Sequence, residues 1–415
     1  MRYSIGLLVV FTLFSACGGK KKPVSKDVTA PAKIESVGTI HFFLETSASM
    51  GGYLKGGTAF KDVVADVVTK ANQIHPVSLY TISGKAQPVT GDVNSFVAEL
   101  ATTPLATGKS SEMHQIFKQV GSKAGGNDLA IFVSDCILSF PDADIRRNPE
   151  INRSDASSTL KNNMYDQFAS FSKQGIGATV LAYVSPFNGT YYTYQNQKQK
   201  LAGESRPFYV WVIGKQSLVS PFVQQLTDRL TAVPTKRLDF GTAGTLNRYD
   251  LLFEANKSGK WRSVQNGVAE IELGRRAKPV EFAIALNLKQ LPSYAQSEAY
   301  LKNNLTLNVD NGAVTLLKVQ RKEDVKADHE QKTLSQNTHV LTFRVDNLFA
   351  DAATLNLKLP VRFDTWYTTW STMDDRTEAG RKNKTFALEH LMTGVREAYQ
   401  TNGNDFASMS IKLTK

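Results

Sequence analysis

From residue 39 to about residue 230, short apolar runs alternate with segments whose apolar residues recur at helical spacing. Residues 39–44, 77–82, 129–133, 178–184 and 208–213 have the length and the β-branched or aromatic content of strands buried on both faces. Between the first two runs, Phe60, Val63, Val64, Val67, Val68 and Ala71 mark one face of a helix, and Lys61, Asp62 and Lys70 the other. Further helices are predicted over 93–100, along Met113, Ile116, Phe117 and Val120, and along Leu160, Met164, Phe168 and Phe171, ended by Gly175. Ser220 is expected to cap a last helix with Pro221 at its first position. This alternation predicts an α/β doubly wound, mostly parallel sheet built by right-handed crossovers, with ligands at the carboxyl ends of its strands.

The pattern changes at residues 231–234. Beyond them the predicted strands are shorter and separated by turn residues, at 268–273, 280–286, 305–309, 314–319, 340–345 and 353–359. Asp310-Asn311-Gly312 predicts a hairpin between two of them, because Asn-Gly readily takes positive φ. An antiparallel β-sandwich over 233–365 is the expectation, with 321–336 as a long exposed loop. Residues 366–415 open with an aromatic cluster, Trp366, Tyr367 and Trp370. A C-terminal helix through Phe386, Leu388, Leu391, Met392, Val395 and Tyr399 follows, expected to pack on the body. Asp374 and Asp375 lack the regular ligand spacing of a calcium loop and receive no role.

Composition narrows the class. With 415 residues, 41% hydrophobic and 21% charged, the chain is neither fibrous nor mainly disordered, and it has room for two or three cores. The net charge of +11 favours anionic partners on average, but Lys and Arg are dispersed and no recognition motif is present, so no nucleic-acid partner is expected. Two cysteines, Cys17 and Cys136, make neither a disulfide framework nor a cysteine-rich zinc site.

The N-terminus reads as a processing signal over 1–16, with Arg2 followed by an apolar stretch from Ile5 to Phe14 that is too short to span a bilayer. Leu13-Phe14-Ser15-Ala16-Cys17 resembles the lipobox of bacterial lipoproteins. That resemblance implies cleavage before Cys17, acylation of its thiol and amine, and a membrane anchor worth about 0.8 kcal/mol per buried CH₂. Residues 17–36, rich in Gly, Lys, Pro and small residues, read as a flexible tether. The expected location is the bacterial cell envelope, at the outer membrane.

At the end of the first predicted strand stands Glu45-Thr46-Ser47-Ala48-Ser49, which resembles the Asp-x-Ser-x-Ser motif of von Willebrand factor A domains, with Glu45 in the Asp place. Residues 107–113 resemble the segment that supplies a hydroxyl from a helix start, with Ser111 preferred and Ser110 the alternative. Asp135 ends the next strand, where the family places an Asp, and Cys136 replaces the Gly that commonly follows. The resemblance covers 37–232. It implies an A-like domain with a metal-ion-dependent adhesion site formed by Glu45, Ser47, Ser49, Ser111 and Asp135. Independently of the family, Mg²⁺ takes six oxygens in near-octahedral geometry with one or two carboxylates, and this residue set suits that demand.

The resulting expectation is a lipid-anchored envelope binding or scaffold protein that engages a protein partner through a Mg-type divalent cation, with no catalytic residue assigned. The alternative is a metal-dependent hydrolase using Asp135 and a serine. No Gly-x-Ser-x-Gly, His-Glu-x-x-His or phosphate-loop motif accompanies them.

Overall fold

A computed structural model of the chain describes residues 36–103, 105–106, 108, 112–138, 142–241, 245–274, 278–289, 291–400 and 405–415. Cys17, the signal and nearly all of the tether, together with Ser110 and Ser111, lie outside the described residues.

The fold is mixed α/β. Its first layer is a seven-stranded sheet in the order β3-β2-β1-β4-β6-β5-β7. The strands are β1 (Ile40–Glu45), β2 (Val77–Ile82), β3 (Ala86–Pro88), β4 (Leu129–Ser134), β5 (Ile176–Tyr192), β6 (Lys198–Lys215) and β7 (Lys236–Phe240). β4 lies in the middle, and β1 beside it is parallel to both β2 and β4. Four strands, β1, β2, β4 and β5, run in the same sense, while every pairing from β4 through β7 is antiparallel. The runs at 178–184 and 208–213 are therefore not joined by a crossover. They form one long hairpin, because the polar residues between them extend both strands rather than making a helix. β7 joins this sheet although it lies beyond the change of pattern at 231–234.

Helices cover both faces. α1 (Ala59–Ile74), α2 (Val93–Thr102) and α7 (Gln216–Thr227) pack on one face, where Phe42 and Leu44 point. α3 (Met113–Gly121) and α6 (Lys161–Lys173) pack on the other, onto Phe43, Phe132 and Trp211; α4 (Asp142–Arg147) and α5 (Ile151–Asp155) precede α6 in the chain. The alternation of Phe42, Phe43 and Leu44 between two apolar layers is why β1 reads as a continuous apolar run. α1 begins at Thr58, whose hydroxyl accepts from the Lys61 amide at 3.4 Å. α7 departs from expectation: it starts at Gln216, with Pro221 inside it and Ser220 donating to the Leu291 carbonyl instead of capping.

The second half supplies two further sheets. The five-stranded one runs β12-β15-β18-β10-β9 and the four-stranded one β13-β14-β11-β8. In chain order these are β8 (Asp250–Leu252), β9 (Arg262–Val264), β10 (Gly267–Ala269), β11 (Val280–Leu286), β12 (Thr306–Val309), β13 (Gly312–Arg321), β14 (His339–Leu348) and β15 (Ala352–Pro360). After a two-stranded parallel pair, β16 (Ser371–Thr372) with β17 (Thr385–Phe386), the chain ends in β18 (Asp405–Thr414). Pairings are antiparallel except β10 with β18. Phe282, Ile284 and Phe343 from one sheet share an apolar core with Leu355, Leu357 and Ile411 from the other.

Several local expectations change here. Asp310-Asn311-Gly312 makes no hairpin: β12 pairs with β15 and β13 with β14, so the turn carries the chain from one sheet to the other. Its geometry is set by Asp310, whose carboxylate accepts from the Thr354 amide at 2.6 Å and the Asn311 amide at 2.7 Å. The run at 268–273 is a strand only to Ala269, since Glu270 takes a left-handed φ of 56°. Residues 321–336 are not a bare loop. They contain α9 (Gln331–Gln336), and α8 (Glu298–Asn304) lies earlier in the same half. Glu330, 3% exposed, accepts from the amides of Phe253, Glu254 and Ala255 at 2.7, 3.1 and 2.9 Å.

The tail divides between the two halves. α10 (Glu378–Arg381) is followed by α11 (Leu388–Tyr399), which packs with α6 on the seven-stranded sheet, and Trp366 and Tyr367 are buried in that same core. β18 then lies between β15 and β10 in the five-stranded sheet. Among the described residues no helix is long and apolar enough to cross a membrane.

Candidate functional site

β1 and β4 are adjacent and parallel, so their carboxyl ends place Glu45 beside Ser134 and the residues after them in one loop cluster. The chain leaving β1 is held on both sides: the Thr46 amide donates to the Ile82 carbonyl at 2.9 Å, and the Gly108 amide to the Thr46 carbonyl at 3.0 Å. Ser47 pairs with Gly108 in a short parallel bridge, so Gly108 lies alongside the loop that follows β1. Gly108 has to be glycine, because a Cβ there would overlap the Ser83 side chain. A single 3₁₀ turn, Ala48–Gly52, follows Ser47.

Four of the five expected residues converge. Ser47 Oγ donates to Glu45 Oε1 at 2.6 Å and lies 2.9 Å from Ser49 Oγ, and Ser49 Oγ donates to Asp135 Oδ1 at 3.5 Å. The fifth, Ser111, lies outside the described residues. Glu45, Ser47 and Asp135 are 0, 2 and 1% exposed, whereas Ser49 is half-buried and opens the cluster toward solvent.

The extra methylene of Glu45 is used. It carries Oε2 across to β4, where Ser134 Oγ donates to it, and Ser134 Oγ in turn accepts from the Cys136 amide at 2.7 Å. Cys136, two residues past the end of β4, is buried with φ at 55°, and this left-handed residue precedes Ile137, whose amide lies 3.1 Å from Asp135 Oδ1. Burial pushes the Cys136 thiol well above its usual range.

Asp135 Oδ2 is buried and meets no hydrogen-bond partner among the described residues. Burial, and then the Glu45 carboxylate, push Asp135 up to about 7, against the smaller opposing pull of the Ile137 amide and the Arg206 guanidinium. Two buried carboxylates thus share a space that suits one added positive charge.

Among the described residues no group of three or more His, Cys, Asp and Glu side chains converges on a point, so any cation here relies on hydroxyls as well as carboxylates. The donor set is all oxygen, two carboxylates and two serine hydroxyls with one orphaned acceptor, and it fits a hard cation such as Mg²⁺ rather than zinc.

Behind the cluster lies a buried polar layer that the residue pattern did not reveal. Tyr53 OH donates to the Pro207 carbonyl at 2.6 Å. Arg206, 1% exposed, donates to the Arg381 carbonyl at 2.8 Å and to Tyr191 OH at 3.3 Å, with its guanidinium 4.3 Å from the centre of the Tyr191 ring. Asp375, given no role from sequence, is fully buried and accepts from Tyr191 OH at 2.5 Å and the Tyr194 amide at 2.9 Å. Ser134 carried a weak local signal as a hydroxyl beside Asp135 at a strand end. Arg206 and Asp375 carried none, since they come from segments 169 residues apart in the chain (375 minus 206). Comparison with protein-family profiles, curated proteins and solved structures finds no match to this chain.

Proposed function

We propose that this chain is a lipid-anchored binding or scaffold protein of the bacterial cell envelope. In this reading Cys17 carries the acyl anchor, the seven-stranded body is a von Willebrand A-like domain and the two-sheet body is a β-sandwich. The A-like domain engages a protein partner at the Glu45, Ser47, Ser49 and Asp135 cluster, with Ser111 as a further hydroxyl, through a divalent cation of the Mg type.

The observation that carries the reading is Asp135 Oδ2, a buried carboxylate oxygen without a partner, next to a second buried carboxylate and two hydroxyls at the carboxyl ends of parallel strands. A cation there takes the place of a proton and relieves the repulsion between Glu45 and Asp135. When bound, it supplies an electrophilic centre on which a partner's carboxylate completes the coordination. Ser49 is the half-buried member at which the partner approaches. No observation favours the hydrolase alternative: Ser47 donates to Glu45 and Ser49 to Asp135, and the Cys136 thiol is held protonated by burial.

Thermal unfolding of the chain with Mg²⁺, Mn²⁺ and Ca²⁺, paired with calorimetric titration, tests this. The melting temperature is expected to rise with cation concentration, by the equivalent of about 2.7 kcal/mol at 100 times Kd. Asp135→Ala and Ser49→Ala are expected to remove the response. A flat titration of the unsubstituted chain at millimolar cation overturns the reading.

A further inference from the structure

β5 and β6 are much longer than the sheet requires. β7 pairs with β5 only over residues 178–182, and β4 with β6 only over 209–214, so the remainder of the hairpin leaves the sheet as a two-stranded arm. An isolated two-stranded ribbon is marginal in water. This one is fixed on two sides.

On one side it meets the cluster's own loop. Phe187 is buried against Gly52, where a Cβ would overlap its ring, and it stands edge-on to Tyr53 with centroids 5.0 Å apart. The backbone of Gly189 approaches Gly52 so closely that a Cβ on Gly189 would lie 3.0 Å from the Gly52 Cα. On the other side it is bound by residues 374–383 of the tail. Arg381 forms a two-pronged pair with Glu204 at 3.0 and 2.9 Å, and its carbonyl receives Arg206. Asp375 holds Tyr191 and the Tyr194 amide, and the Asn383 amide donates to the Ser205 carbonyl at 3.1 Å. These charged residues are sunk into the arm: Arg381 is 7% exposed and Asp375 fully buried.

We infer that the arm, residues 186–204, is a cover over the Ala48–Gly52 turn, and that residues 374–383 are the latch that holds it shut. Entry of a ligand past half-buried Ser49 to the buried Ser47 and Asp135 is then governed by release of the latch from the arm. The gating role rests on the reading of the cluster as a binding site, whereas the cover and its latch stand on the contacts themselves.

Hydrogen–deuterium exchange on the full chain tests this without any cation. Arg381→Ala is expected to speed exchange of the Met50, Tyr53 and Leu54 amides, which close the covered turn, by tenfold or more, while β14 keeps its protection. Faster exchange confined to 374–383, with the turn unchanged, overturns the latch. Should Arg381→Ala unfold the chain globally, a Ser205→Cys, Asn383→Cys pair provides the second measurement. Its oxidised form is expected to exchange more slowly than its reduced form across 47–54 and 186–204, and equal rates overturn the proposal. A Mn²⁺ titration in parallel separates the two readings. Changed exchange with a flat titration removes the cation site and leaves the cover. A titration response that is identical in the oxidised and reduced staple, in both amplitude and rate, removes the gating role.

Discussion

Ser134 Oγ donates to Glu45 Oε2 across the parallel β1–β4 pair, so the longer acidic side chain is locked to the neighbouring strand by a residue that does not itself face solvent. Shortening Glu45 to Asp withdraws its carboxylate from Ser134 and leaves Ser47 as its nearer donor. Glu45→Asp is therefore expected to preserve the cation response and to cost about 1–2 kcal/mol of stability in cation-free urea unfolding. Ser134→Ala is expected to cost a similar amount, because Glu45 and the Cys136 amide both lose a buried partner. A Glu45→Asp variant as stable as the parent chain without cation contradicts this account of the pair.

The proposed anchor gives an independent test. If Cys17 carries acyl chains, Cys17→Ala moves the protein from the detergent-extracted membrane fraction into the soluble envelope fraction, because the site of acylation is gone while the body is untouched. Membrane association unchanged by this substitution rules out the lipid anchor.

Glu330 accepts from a cluster of three amides, those of Phe253, Glu254 and Ala255. Glu330→Ala leaves those donors without their partner and is expected to lower stability by about 3 kcal/mol, with Glu330→Gln recovering part of the loss. A loss below about 0.5 kcal/mol in urea unfolding shows that the turn finds other acceptors.

His339 is buried, with Nδ1 2.8 Å from Thr338 Oγ1. Burial, aided by the nearby Arg321 charge, lowers its pKa, against the smaller opposing pull of the Gln296 backbone and then of the Glu298 and Glu323 charges. The neutral form is therefore the folded form. Its contribution to stability is complete above the ordinary value of about 6.5 and is lost as pH falls from there toward the lowered folded value, with a slope of at most about 1.4 kcal/mol per pH unit. Urea unfolding between pH 7.5 and 5 is expected to show a smaller decline for His339→Gln than for the parent chain. Parallel declines show that His339 is not the group responsible.

The elements whose periodicity is local were legible in the residue pattern. Phe60 to Ala71 mark α1, and the apolar run 39–44, just before Glu45, marks a strand buried on both faces. The loop cluster is legible for the same reason: Glu45, Ser47 and Ser49 lie close together in the chain at the end of β1, and Asp135 directly follows the adjoining strand. β18 is masked in the residue pattern because its alternation of Ala407, Met409, Ile411 and Leu413 follows a helix at the chain end, where no further strand is expected.

The amino-acid sequence by itself determined which residues prefer burial and at what period, and hence the strands, helices and hydroxyl-carboxylate loop. Tertiary structure alone decided what pairs with what. Asn311-Gly312 fits a hairpin, yet its flanking strands find lower free energy in separate sheets, where Leu355 and Phe343 complete a common core. Ser134, Arg206 and Asp375 acquire their roles only when distant segments fold together. A buried charge is tolerated only where partners from elsewhere in the chain surround it, and no local pattern encodes those partners.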